Sequence, residues 1–142
     1  MPKLIRLALV VPTLAIMAVA SATAAFADNG VNVSVDPSAS LTARVEVVTT
    51  VTASCPSGWL TMGGGVSVEQ ATGKSIAHGS AYIPGLQCTG VDQVIPVTVL
   101  ADPASIPFRN GTAVITANLT ACNYGATFTC GSATAYTTVK LH

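Results

Sequence analysis

Four cysteines, Cys55, Cys88, Cys122 and Cys130, carry the most definite chemistry in this sequence. None forms a Cys-x-x-Cys pair, and no His/Cys pair has zinc spacing. Oxidation to two disulfides is therefore expected, and no metal site. Strand direction guides the pairing. Cys55 closes the alternation Val45, Val47, Thr49, Val51, Ala53 and shares its inward face. Cys122 falls on the outward set of a later alternation, so a Cys55–Cys122 bond would oppose their directions. The expected bonds are Cys55–Cys88 and Cys122–Cys130.

The remaining reactive side chains are few. His78 is the one histidine away from the C-terminus, and a triad would need a nucleophile and a carboxylate beside it; Ser80 and Asp92 are the candidates. Glu46, Glu69, Asp92 and Asp102 could supply paired carboxylates for glycoside hydrolysis, but no spacing singles out a pair. Asp92 and Asp102 lack the dense acidic loop that calcium needs. Gly63-Gly64-Gly65 is not followed by the helix and Lys-Ser/Thr of a nucleotide loop. Inside a strand, such glycines mark a bulge or a close approach. No catalytic, cofactor-binding or metal-binding residue is assigned, and the protein is not expected to be an enzyme. The candidate ligand surface is Trp59, Met62 and Tyr82, with Tyr124 and Phe128 as further aromatic groups. Asn32, Asn110 and Asn118 each open an Asn-x-Ser/Thr acceptor pattern.

The elements that must position these groups follow from periodicity. Lys3 and Arg6, the apolar run Leu7–Ala20 and Ala25-Phe26-Ala27 read as a signal peptide over 1–27, with a helical apolar core and a cut before Asp28; Ala22-Thr23-Ala24 is an alternative cut. A signal peptide and an even cysteine count place the protein outside the cell. Residues 28–142 form one domain. They carry four basic and six acidic residues, a net charge of −2. Such a chain has no basic patch for nucleic acid, and no membrane contact is expected after cleavage.

Within that domain, apolar residues recur with a period of two over 31–35, 44–55, 59–70, 75–83, 91–100, 112–122 and 133–141. Arg44 to Cys55 reads as the central strand. Asp36-Pro37-Ser38, Ala71–Lys74, Pro84-Gly85, Asn110-Gly111 and Asn123–Gly125 supply turns. About seven strands with regular turn signals and no helical period predict a single antiparallel, immunoglobulin-like β-sandwich.

Several stretches also carry a resemblance: Val-Thr-Ala-Ser-Cys-Pro-Ser-Gly at 51–58, Val-Ser-Val-Glu-Gln at 66–70, Cys-Thr-Gly at 88–90, Ile-Pro-Val-Thr-Val at 95–99 and the run from Phe108 to Ala117. Through these the chain resembles small secreted actinobacterial proteins, uncharacterised in function, with an immunoglobulin-like sandwich. The resemblance implies a fold and transfers no catalytic residue. In size, export and two disulfides the chain is also similar to chromophore-carrying apoproteins of the neocarzinostatin type. The leading functional expectation is a secreted, non-enzymatic module with a surface, adhesion or protein-binding role. The alternatives are a small-ligand carrier with a cleft between sheets, and an extracellular protease inhibitor using Ala101–Asn110 as bait. The partner is an extracellular protein or small molecule.

Overall fold

In the computed structural model, which describes residues 24–142, eight strands follow one another: β1 (Ala24–Ala27), β2 (Asn32–Thr42), β3 (Glu46–Ser54), β4 (Leu60–Thr72), β5 (Ser75–Tyr82), β6 (Gln93–Ala101), β7 (Gly111–Asn123) and β8 (Thr129–Leu141). The described residues contain no helix. The signal peptide expected over 1–27 lies outside the described residues up to residue 23. Its last four residues are β1, antiparallel to β8 from Ala24↔Tyr136 to Ala27↔Ala133.

The expected two-layer sandwich is overturned. The strands β2 to β8 form one closed barrel, in the order β8-β2-β3-β6-β5-β4-β7 and back to β8. The sheet is mixed, because β2 meets β8 in parallel at Ser38↔Lys140 while the other pairs are antiparallel. Alternation could not reveal this. It says which face of a strand is buried, and both architectures bury one face of each strand. Closure is decided at two short seams. One joins β5 to β6 through Gly79↔Ala101 and Ser80↔Leu100. A Cβ at Gly79 would lie 2.2 Å from the Leu100 carbonyl oxygen, so only glycine admits this approach. The other seam is Ser38↔Lys140, reinforced by the Leu41 N–H donating to the His142 carbonyl at 3.0 Å. Closing the sheet removes edges that a sandwich would leave open.

Burial otherwise follows the period of two. On β3, Val47, Thr49, Val51 and Ala53 are inside; β7 buries Ala113, Ile115, Ala117, Leu119 and Ala121. β3, read from sequence as the central strand, pairs with β2 and β6, but a closed barrel flanks every strand on both sides and has no central one. Asp36-Pro37-Ser38, read as a turn, is instead an irregularity within β2, where the register shifts between Val35 and Ala39. The largest plug comes from a loop. Phe108 is fully buried. Its segment is clamped by the buried Gln70 amide, which donates to the Arg109 carbonyl and accepts from the Arg109 N–H, both at 2.7 Å.

Candidate functional site

His78 and the acidic residues are the side chains that could do covalent chemistry. His78 Nδ1 lies 2.9 Å from Asp102 Oδ2 on the barrel surface. Its cross-strand neighbour is Glu69. Asp92, the candidate carboxylate for a triad, precedes β6, whereas Asp102 follows that strand. The Ser105 hydroxyl meets the backbone of His78: it accepts the His78 N–H at 2.8 Å and donates to the Ile106 carbonyl at 3.0 Å. Among the described residues no hydrogen bond links the His78 ring to a serine. The dyad ties β5 to the loop after β6, together with the Asp102 N–H donating to the His78 carbonyl at 3.0 Å. No cluster of three or more His, Cys, Asp or Glu with metal-binding geometry occurs among the described residues.

A different face gathers the aromatic candidates. Alternation puts Leu60 and Met62 on the same side of their strand as Val66 and Val68, which are buried. The β4–β7 register shifts between Thr61 and Gly63, and this bulge turns the start of β4 outward. Leu60 and Met62 are consequently exposed, Met62 at 55 %. The Tyr124 hydroxyl donates to Met62 Sδ at 3.2 Å, and the Tyr124 and Phe128 rings meet edge to face with centroids 5.2 Å apart. Across the glycines stands Tyr82, 87 % exposed at the end of β5. Three adjoining hollows share it. One of about 410 Å³ lies among Met62, Gly63–Gly65, Asn118 and Thr120. A second of about 300 Å³ is walled by Ile83, Leu86 and Leu119. The third, of about 270 Å³, is bordered by Ser67, Ser80 and Asn118. No charged side chain lines any of the three.

Both disulfides brace this face. Cys55–Cys88 ties the 83–92 connection to the end of β3, helped by Gly90 N–H donating to the Cys55 carbonyl at 3.0 Å and Gly58 N–H to the Cys88 carbonyl at 3.3 Å. That connection carries Ile83 and Leu86. Cys122–Cys130 joins directly opposed residues of β7 and β8 and closes the turn that carries Tyr124 and Phe128. Cys122 is buried, not outward as read from alternation. The Cys122–Cys130 bond needs no common outward face, because the two residues are cross-strand partners.

The structure therefore brings Met62 and Tyr82 together and leaves Trp59 apart. Trp59 is half-buried against the core and borders none of these hollows. The carrier's cleft between sheets has no counterpart, since buried side chains fill the barrel interior. The proposed bait loop, Ala101–Asn110, is anchored through Asp102, Ser105 and buried Phe108. Asn118, third of the acceptor patterns, borders the hollows themselves. Tyr124 and Phe128 are the partners that alternation could not place, because their turn has no period. Comparison with family models, curated proteins and solved structures finds no match.

Proposed function

We propose that the protein is an extracellular, non-enzymatic binding module, and that it binds through the uncharged face around Met62, Tyr82, Tyr124 and Phe128. One observation carries this reading: Tyr82, almost fully exposed, is shared by three adjoining hollows without a charged residue. Met62, which borders two of these hollows, is exposed too, as are Tyr124, which bonds it, and Phe128. An apolar cluster of this kind on a surface marks a site that something covers. The disulfides are consistent with an oxidising compartment outside the cell. A non-catalytic role is supported by the engagement of Ser105 and by His78 pairing with Asp102 in a structural tie.

The test is distribution in the organism that makes it. Wild-type protein should stay with the cell surface, whereas Tyr82→Ala, correctly oxidised and folded, should move to the medium. Equal distribution of the two proteins would overturn the reading.

A further inference from the structure

We infer that the occupant of this face is a neutral saccharide, with one sugar ring stacked on Tyr82 above the floor left by Gly63 and Gly65; this rests on the binding reading above. Two glycines of this floor are not required by the backbone. Neither Gly63 nor Gly65 has a positive φ. A Cβ on Gly63 would meet nothing within 4 Å, and on Gly65 its nearest neighbour would be the Ala81 carbonyl oxygen at 3.5 Å, an ordinary contact. Strand positions favour β-branched or aromatic residues, so glycine here weakens the strand without a packing return. What the two glycines do provide is open space in front of Tyr82. That space fits a ligand lying flat on the sheet.

The lining selects the class. Asn118, Thr120, Ser67 and Ser80 offer amide and hydroxyl groups, all neutral. A charged ligand would lose water here without gaining a counter-charge. A neutral sugar presents an apolar C–H face to an aromatic ring and hydroxyls around its rim, which the amide and hydroxyl groups can meet. A peptide adding as a strand is disfavoured, because β4 at Gly65 is already paired on both sides, with Tyr82 and with Asn118. The three contiguous hollows would seat successive rings of a short chain.

The experiment uses the full protein, secreted and oxidised in a host without Asn-linked glycosylation, so that Asn118 stays bare. Cellohexaose, chitohexaose and maltohexaose are titrated by calorimetry, with a heparin hexasaccharide as the charged control. At least one neutral hexasaccharide should bind. Tyr82→Ala and Gly65→Val should each weaken that binding at least tenfold, while Gly65→Val melts no lower than wild type. Should Gly65→Val fail to fold, Gly63→Val, whose new side chain points into open space, fills the same floor. The inference is overturned if no neutral hexasaccharide binds, if heparin binds as tightly, or if the folded variants bind unchanged. Loss of cell-surface retention in Tyr82→Ala with no sugar bound would overturn the saccharide alone and point to a protein or a second copy. Unchanged retention together with no sugar bound would overturn both readings.

Discussion

Phe108 and Tyr82 are both large aromatic residues near a strand end, and they do opposite work. Phe108 is fully buried and is held in place by the paired hydrogen bonds between Gln70 and Arg109. Phe108→Ala should lower stability by about 3–5 kcal/mol, read from urea denaturation, because it removes the largest side chain of the core and leaves a cavity. Gln70→Leu should be costly too, since it strands the Arg109 N–H and carbonyl away from their partner; a loss of about 1–3 kcal/mol is expected. Tyr82→Ala, by contrast, should change stability by no more than about 0.5 kcal/mol, as expected for an exposed side chain. A loss like that of Phe108 would show Tyr82 to be a packing residue.

At the scale of the elements, the barrel depends on its two short seams. Gly79→Ala pushes a methyl group into the Leu100 carbonyl, and the backbone must move. A loss of about 1–3 kcal/mol is expected, with faster hydrogen exchange at Ala101 and Asp102. The β2–β8 seam has its own device. The Asp36 carboxylate accepts from the Ser38 hydroxyl and from the Ser38 N–H, and Ser38 is the residue that meets Lys140. Those two bonds, the hydroxyl first, hold the Asp36 carboxyl below the usual aspartate range. A depressed folded value means the stabilisation is complete above the unfolded value and is lost as pH falls through the folded one. Asp36→Asn should therefore melt below wild type at neutral pH. The gap should narrow as pH falls from the ordinary aspartate value of about 3.9 and close below the lower folded value. A gap independent of pH would show that the charge has no part in the seam.

For the whole molecule, the two disulfides act on stability and on the candidate face together. In the chain-entropy description, a bond closing 33 residues stabilises by about 4 kcal/mol and one closing 8 by about 2–3 kcal/mol. Cys55–Cys88 also holds the connection whose Ile83 and Leu86 wall one hollow, and Cys122–Cys130 closes the turn whose Tyr124 bonds Met62. Replacing Cys55 and Cys88 by alanine should therefore speed hydrogen exchange in the 83–92 connection more than in the β7–β8 hairpin. Equal exchange at both places would mean that the bond supports the barrel as a whole.

Within the described residues, inward and outward positions were legible from side-chain alternation, because a strand's pleat converts sequence parity into direction. The buried sets of β3, β7 and β8 follow from it. Where the pleat breaks, parity misleads. The bulge at the start of β4 carries Leu60 and Met62 to the surface, and the shift inside β2 absorbs what looked like a turn. Parity also carries no information about which strands meet around a ring. Gly79 passes unremarked as one small residue among others until the Leu100 carbonyl is seen beside it. Met62 meets Tyr82 across the β4–β5 hairpin, and Tyr124 reaches Met62 only because β4 also pairs with the distant β7. Local chemistry alone determined an all-β, disulfide-bonded chain of low charge. The barrel and the face came from long-range pairing, where backbone hydrogen bonds and steric fit act between residues that the linear order keeps far apart.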